Sequence, residues 1–259
     1  NNNDRPGILL SSAIKRYADF FGVACGEKNI LFTNNDSTYE TAFSLIQKGI
    51  NIEAIIDNRE EVDSKLLYEL EKNNVKIFKG FTIIDTFGYK RVNKISIKQL
   101  SKDGQRVVGS KINLSCDCLG VSGGWTPAVH LFTQSGGKLK YREEDQVFIP
   151  NVFPSDQLSI GSCNGDFTLD EISINTPKSL KEFLNIKTSE YENLEVISSI
   201  NKSKRNIWLL PSDKILGKTK SFVDYQNDAT AKDIKLASRE GLRSLHHLKR
   251  YTPTGMGTN

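Results

Sequence analysis

The order of elements predicted between positions 29 and 57 constrains the fold more than any other feature of the sequence. Asn29–Thr33 is a short apolar segment that predicts a buried strand, and a helix is predicted over 38–48. A second strand is predicted over Ile52–Ile56 and leads directly into Asp57. Strand, turn, helix and parallel strand in this order form a βαβ unit with a right-handed crossover. The sequence therefore predicts an α/β fold that contains a Rossmann-like dinucleotide domain.

The turn inside this unit, Asn34–Ser37, contains no glycine. Glycines in such a turn allow backbone N–H groups to reach a pyrophosphate at the helix N-terminus. Asp36 would also place a negative charge beside a phosphate, although Asp57 occupies the position of the acid that binds a ribose. We therefore expect a degenerate Rossmann domain that serves as a scaffold and does not bind phosphate in this turn.

The segments around this unit predict short elements of both kinds. Apolar residues at helical spacing predict helices over 8–21 and 64–73. Two alternating segments, separated by Asp103-Gly104, predict a β-hairpin. The other expected elements are strands over 75–78 and 118–121, a strand and glycine turn over 158–165, a helix from Thr168 that Pro177 interrupts, a polar irregular connection over 185–206, and a helical pair over 230–250 capped by Thr230 and Asp233.

Composition excludes two classes of partner. The 259 residues include 35 basic and 31 acidic side chains, and a formal net charge of only +4 does not indicate a nucleic-acid-binding face. No apolar run has the length of a bilayer span, and the first residues lack the apolar core of a secretory signal. We expect a cytoplasmic protein that binds neither nucleic acid nor a membrane.

The sequence indicates no catalytic or metal-ligating set of side chains. Cys116 and Cys118 would need two further ligands to hold zinc, and no second Cys/His pair has ligand spacing. Alternation along a strand would point both thiols to the same face, as ordinary packing residues. His246 and His247 lie in a basic segment, which favours a solvated face or a subunit contact. We predict neither a catalytic residue nor a metal site.

Two glycine turns resemble those of flavoproteins that contain two dinucleotide domains. Cys118–Pro127 resembles their apolar strand with an ATG-x-x-P-like turn, and Ile160–Gly165 resembles their closing IGD-x-x-G strand. Ser162 replaces the usual Asp of the closing turn, so a partner for the ribityl hydroxyls of FAD is lost. The replacement does not forbid a different dinucleotide in the same groove.

Longer motifs resemble one family, the alpha subunit of heterotetrameric sarcosine oxidase. The Phe-Thr-Asn-Asn-Asp, Ser-Gly-Gly-Trp and Gln-Asn-Asp motifs are unusual, and the resemblance spans nearly the whole chain. The segments that resemble the family are Arg5–Leu10, Leu31–Tyr39, Val121–Pro127, His130–Lys138, Phe222–Ile234, Arg239–Gly241 and Lys249–Thr252.

The resemblance implies an internal fragment of a larger oxidoreductase subunit. It implies that the alpha subunit holds NAD in a flavin-like domain, that the beta subunit carries FAD and oxidises sarcosine, and that FMN at the alpha–beta contact passes electrons to oxygen. Gamma and delta subunits complete the complex, and tetrahydrofolate captures the released one-carbon unit. The fragment alone is then expected to be inactive.

The resemblance also implies a division of the chain and a set of cofactor contacts. The expected segments are 1–28, the end of a flavin-like domain with the first helix; 29–121, a degenerate NAD(P)-type Rossmann domain; 122–184, the return segment of the flavin-like domain; 185–215, a connection; and 216–259, a small truncated helical domain. The expected NAD contacts are Gly161, Ser162, Phe167 and Leu169, with Ser122, Gly123 and Gly124 as weaker candidates.

Two alternatives remain open at this point. A related complex that oxidises another secondary amine, such as an opine or proline, would use the same kind of subunit, because the substrate lies on a different subunit. A non-enzymatic scaffold that only docks partner subunits would also be compatible with these motifs.

Overall fold

The computed structural model describes residues 2–62, 66–154, 156–185, 206–216 and 218–257. The chain forms two compact units. The first comprises Asn1–Ser122 and Ile207–Asn259, and the second comprises Gly123–Asn206. The predicted irregular connection over 185–206 lies almost entirely outside the described residues.

The first part of unit one is an α/β structure with a parallel sheet, which confirms the predicted fold class. The parallel sheet has five strands in the order β1-β8-β2-β3-β4, and β5, β6 and β7 form an antiparallel sheet of three strands. The elements are β1 (Ile8–Leu10), α1 (Ser11–Phe21), β2 (Asn29–Thr33), α2 (Ser37–Gln47), β3 (Ile52–Asp57), α3 (Leu67–Lys72), β4 (Lys76–Lys79), β5 (Phe81–Phe87), β6 (Lys94–Leu100), β7 (Val107–Ser115) and β8 (Cys118–Ser122).

Each face of the parallel sheet has its own hydrophobic core, because side chains alternate along a strand. Leu31 of β2 packs with Tyr39 and Leu45 of α2 on the helical face. Its neighbour Phe32 packs with Ile95 of the three-stranded sheet on the other face. The helices α1, α2 and α3 therefore cover one face, and β5–β7 cover the opposite one.

The register of the parallel strands brings three chain positions together at one edge. Thr33 at the end of β2 pairs with Asp57 at the end of β3 and with Ser122 at the end of β8. Ligands of open α/β sheets bind outside the carboxyl ends of the strands. The polar turn after β2 begins at this edge, so it lies where a ligand of such a sheet would be expected.

The second unit has α4 (His130–Gln134), a hairpin of β9 (Lys138–Arg142) and β10 (Val147–Val152), a 3₁₀ helix (Gly161–Asn164) and α5 (Leu169–Leu184). The predicted strand at the start of 158–165 is wrong, because the residues before Gly161 are irregular. The predicted interruption at Pro177 is also wrong, because α5 continues through it. Thr168 caps α5 through a reciprocal hydrogen-bond pair with Glu171.

The C-terminal part of unit one has a short hairpin of β11 (Phe222–Asp224) and β12 (Ala229–Thr230), followed by α6 (Ala231–Arg239) and α7 (Leu245–Tyr251). Thr230 and Asp233 form the capping box of α6 that the sequence predicted. In the described part of the chain, no helix is both long enough and apolar enough to cross a bilayer.

Candidate functional site

The turn after β2 is held by its own side chains. Thr33 Oγ1 donates to the backbone oxygen of Asn35 at 2.8 Å and accepts from the Asn35 backbone N–H at 3.1 Å. Asn35 Oδ1 accepts from the backbone N–H and the hydroxyl of Ser37, at 3.2 and 2.6 Å. Internal partners therefore take up the N–H groups of Asn35 and Ser37, which a phosphate at this turn would need.

The same turn is tied to the neighbouring strand β8. Asn35 Nδ2 donates to Ser122 Oγ at 3.0 Å and to Asn34 Oδ1 at 2.8 Å. Asn34 and Asn35 are both buried. Ser122 was a predicted cofactor contact, and its hydroxyl serves here as the acceptor that joins two strand ends.

A buried arginine occupies the space between the two acids of the βαβ unit. Arg59 Nη1 lies 2.7 Å from Asp36 Oδ1, and Arg59 Nη2 lies 2.8 Å from Asp57 Oδ2. Arg59 Nε is 3.1 and 3.2 Å from the two Asp57 oxygens. The side chains of Arg59, Asp57 and Asp36 are only 2%, 0% and 9% exposed. We call these three residues with Tyr39 the Arg59 cluster.

The Asp57 carboxylate has no capacity left for a ribose. Its Oδ1 also accepts from the Arg59 backbone N–H at 2.8 Å, and its Oδ2 accepts from the Tyr39 hydroxyl at 2.9 Å. Burial raises the pKa of Tyr39, and Asp57 raises it further, so the hydroxyl remains a hydrogen-bond donor. The acid in the ribose-binding position is consequently a structural group.

The charges of the cluster oppose an anionic ligand. Burial by itself lowers the pKa of Arg59, but hydrogen bonds and the negative charges of Asp57 and Asp36 outweigh it and raise the pKa. The guanidinium therefore stays protonated and is shared by two carboxylates, which leaves these three groups with a net negative charge. Asp36 is the N-cap residue of α2 yet makes no side-chain cap hydrogen bond, because its carboxylate faces Arg59. A dinucleotide pyrophosphate does not fit this turn.

The predicted contacts in the closing glycine turn lie together in the second unit. Gly161 has a φ of +64°, and a Cβ there would meet only Ile172 at 4.0 Å, so a ligand could approach the backbone closely. Ser162 follows it in the 3₁₀ helix, and Leu169 begins α5 with 67% of its surface exposed. These positions leave room for a bound molecule, and their role stays a prediction.

The carboxylate of Glu171 already occupies the N-terminus of α5. Glu171 Oε2 accepts from the backbone N–H groups of Phe167 at 3.0 Å and Thr168 at 3.2 Å. An incoming phosphate would have to displace this carboxylate to use those two N–H groups. Any contact of Phe167 with a cofactor would therefore come from its half-buried side chain.

Arg142 anchors the closing turn, a role that no sequence motif predicted. Its Nη2 donates to the Gly165 backbone oxygen at 2.9 Å, and its Nε is 2.6 Å from Asp145 Oδ1. The hydrogen bond to Asp145 raises the pKa of Arg142. A Cβ at Gly165, where φ is +89°, would lie 2.8 Å from Ile149 Cγ2. Packing therefore explains the glycine at 165 without a ligand.

Arg59 is the main residue that sequence reasoning missed. A cation two positions after the strand-end acid was a signal available in the sequence, but its contact with Asp36 depends on the fold. The weaker candidates Gly123 and Gly124 begin the second unit, and a Cβ at Gly123 would meet no atom within 4 Å.

The two cysteines of the Cys-x-Cys motif are both buried, but the predicted common face is wrong. Cys116 belongs to the core beneath β5–β7, whereas Cys118 belongs to the core beneath the helices. Cys116 precedes β8, and the chain turns at Asp117 before the strand begins. Burial raises the pKa of each thiol to about 12.

Solved structures of related shape show the fold alone. The L-proline dehydrogenase of P. horikoshii matches with a TM-score of 0.63 and 17% identity over 99% of this chain and 46% of that chain. The HOCl-induced flavoprotein disulfide reductase RclA of Escherichia coli matches with a TM-score of 0.50 and 13% identity over 71% of this chain and 40% of that chain.

Curated relatives share the sequence over almost its full length. The sarcosine oxidase alpha subunits of Corynebacterium sp. strains P-1 and U-96 are 31% and 30% identical over 264 and 258 residues. Both alignments cover 97% of this chain and 26% of the relative. Residues 218–259 match the family described as the sarcosine oxidase A3 domain. The chain spans about a quarter of the length of the curated relatives it matches, and over 97% of its residues it is similar to sarcosine oxidase alpha subunits.

Proposed function

We propose that this chain is the framework segment of an alpha subunit that works in a sarcosine-oxidising complex. The complex is an oxidoreductase that acts on a CH–NH bond, demethylates sarcosine to glycine and passes the electrons to oxygen. Two sarcosine oxidase alpha subunits are 31% and 30% identical to this chain over 97% of its length, and this similarity supports the proposed function. Because these relatives are named alpha subunits, we propose that the complex contains further subunits, namely beta, gamma and delta chains.

The Arg59 cluster carries the proposed role of this segment. It fills the place where a Rossmann domain would bind phosphate and ribose with a buried cation and two buried carboxylates. The degenerate domain over 29–121 therefore serves as a scaffold for neighbouring parts of the subunit. The dinucleotide is bound by another surface. We propose that NAD is bound by the flavin-like domain, to which 1–28 and 122–184 contribute, and that 185–215 connects it to a helical domain over 216–259.

The proposed NAD contacts of this chain are Gly161, Ser162, Phe167 and Leu169, with the rest of the groove supplied elsewhere in the subunit. The open space beside Gly161 and the exposed side chain of Leu169 support this assignment. FAD and FMN belong to the beta subunit and to its contact with alpha, and tetrahydrofolate is a co-substrate of the complex. No residue of this chain is proposed as catalytic.

The NAD content of the purified complex tests the proposed contacts. Leu169→Glu adds a third carboxylate to the first turn of α5, beside Asp170 and Glu171, so we expect the complex to retain less NAD. Leu184→Glu is the matched control, because Leu184 ends the same helix and is 54% exposed. Equal NAD contents in the two variants would show that residues 161–169 do not contact NAD.

Hydrogen peroxide release tests the proposal that catalysis takes place on a partner subunit and not on this chain. We expect sarcosine-dependent hydrogen peroxide from the assembled complex and none from this chain alone. Peroxide release by the isolated chain would contradict the assignment of catalysis to a partner subunit.

A second candidate is a complex that oxidises another secondary amine. The fold similarity to an L-proline dehydrogenase, with a TM-score of 0.63, is the observation that keeps it open. Assays of the assembled complex with sarcosine and with L-proline separate the two functions, and we expect sarcosine to be turned over faster.

A further inference from the structure

The first unit contains an apolar cavity of about 510 Å³ on the side of the parallel sheet that faces β5–β7. Its floor includes Phe32, Leu119 and Val121 of β2 and β8, and its opposite wall includes Phe222 and Ile234. Volumes of about 300–1,000 Å³ with mainly apolar linings are typical of small-molecule sites. The cavity is separate from the Arg59 cluster, because none of the cluster residues lines it.

Two polar side chains of the cavity wall, Asn3 and Thr86, are already hydrogen-bonded to backbone groups. Asn3 Nδ2 donates to the Phe222 backbone oxygen at 3.0 Å, and Asn3 Oδ1 accepts from the Phe222 backbone N–H at 2.9 Å. Thr86 Oγ1 donates to the Asn2 backbone oxygen at 2.7 Å. The N-terminal segment thus joins β5 to β11 across the cavity. A guest would gain most of its free energy from apolar contact inside this preformed space.

Two exposed side chains at the cavity, Lys235 and Trp208, are available to a guest. Lys235 of α6 lines the cavity, is exposed, and makes no ion pair with any residue in the described ranges. Trp208 lines it as well and is 78% exposed. By contrast, Lys214 on the neighbouring surface is paired with Asp85. The free charge at the cavity is therefore positive.

We propose that this cavity binds a small amphipathic carboxylate. The hydrocarbon part of the ligand lies against Phe32, Val121 and Phe222, and its carboxylate pairs with Lys235. The inference extends beyond the proposed oxidase function and does not depend on it, because no residue of the cavity is assigned to the dinucleotide or to the reaction.

Decanoate is a suitable probe, titrated into this chain below its micelle concentration with calorimetry and tryptophan fluorescence as readouts. We expect saturable one-to-one binding and a fluorescence change that Trp208→Phe removes, since Trp125 does not line the cavity. Lys235→Gln should weaken binding roughly two- to fivefold, as expected for an exposed ion pair. Lys232→Gln, on the same helix but outside the cavity lining, should leave the affinity unchanged.

A filling variant and a neutral probe complete the test. Ala231 lines the cavity at the first position of α6, so Ala231→Leu should abolish saturable binding by occupying the space. Decanol should bind more weakly than decanoate. Absence of saturable decanoate binding, or binding that neither Ala231→Leu nor Lys235→Gln weakens, would overturn the proposal. Equal affinities for decanol and decanoate would overturn the assignment of an anionic ligand.

Discussion

At the scale of single residues, Asp57 stands where a Rossmann domain has its ribose-binding acid, although the turn beside it lacks the glycines for phosphate. Asp57 pairs with Arg59 and Tyr39, and the three groups satisfy one another inside the protein. Two carboxylates with a single guanidinium are costly to bury unless their hydrogen bonds are complete. The pairing of Asp57 with Arg59 is bidentate, a geometry that lysine could not reproduce.

Removal of the buried cation should therefore be strongly destabilising. Arg59→Met leaves Asp36 and Asp57 buried without their cation, and we expect the free energy of unfolding to fall by about 3–5 kcal/mol. Lys48→Met breaks the Lys48–Asp19 pair, whose side chains are 39% and 31% exposed, and should cost about 1 kcal/mol or less. Urea denaturation of both variants gives the comparison. Similar losses in the two variants would contradict the structural role of the cluster.

The thiols of Cys116 and Cys118 should resist modification at alkaline pH. Their pKa values of about 12, raised by burial from 9.0, keep them protonated at pH 9. Because a thiolate is the reactive form, iodoacetamide at pH 9 should label the exposed Cys163 first. Mass spectrometry of the labelled chain should show modification of Cys116 and Cys118 only after unfolding in urea. Rapid labelling of either thiol in the folded chain would contradict its burial.

At the scale of elements, the close packing of α1 on the sheet depends on Gly120 in β8. A Cβ at this position would lie 2.5 Å from Leu31 Cδ2 and 2.9 Å from Ile14 Cδ1. The glycine therefore allows the first helix and the central strand to approach each other. No ligand is needed to explain why this strand contains a glycine.

Alanine substitution distinguishes this packing glycine from one at an open position. Gly120→Ala should destabilise the chain by about 1–3 kcal/mol, because Leu31 and Ile14 must move. Gly123→Ala should change stability by less than about 0.5 kcal/mol, because a Cβ there would contact nothing within 4 Å. Thermal unfolding measures both. A Gly120→Ala chain as stable as the parent would mean that α1 lies farther from the sheet.

The sequence predicted the βαβ unit closely but misread elements where two signals coincide. Ile8–Leu10 continues the apolar pattern of the first helix, yet these residues form β1 and pair with β8 before the helix begins. A short buried strand and a helical turn look alike in hydrophobicity, so only the partner strand, more than a hundred residues away, decides. At Pro177 the expected interruption does not occur, since a proline removes one backbone hydrogen bond and α5 is complete on both sides.

Only part of the candidate site could be predicted from the sequence. The missing glycines of Asn34–Ser37 predicted a turn that does not bind phosphate, and the internal hydrogen bonds of the turn are consistent with that prediction. What fills the space could not be predicted, because Arg59 and Asp36 are brought together by the packing of β3 beside β2. The bond between Asn35 and Ser122 likewise joins strands that are distant in sequence.

At the scale of the whole molecule, the two units differ in how much core they contain. The first has two extensive hydrophobic clusters, one on each face of its sheet. In the described part of the second unit, the buried hydrophobic side chains are Phe132, Val147 and Ile149. Helix α5 buries none of its residues. The second unit is therefore expected to depend on a further partner surface for its stability.

Amide hydrogen exchange should report this difference. We expect α5 to exchange faster than α2 in the isolated chain, since α2 buries Tyr39, Ala42 and Leu45 among its residues. In the proposed complex we expect the protection of α5 to rise, while that of α2 should stay high. Equal protection of the two helices in the isolated chain would mean that the second unit is stable without further contacts.

The central claim is that the βαβ turn is closed by the Arg59 cluster and that the proposed NAD site lies elsewhere in the subunit. A crystal structure of the intact subunit with bound NAD tests it most directly. We predict that Arg59 still bridges Asp36 and Asp57 and that no atom of NAD lies within hydrogen-bonding distance of residues 34–37. A pyrophosphate bound to the backbone of Asn34–Asp36, with the Arg59–Asp36 pair broken, would contradict the account.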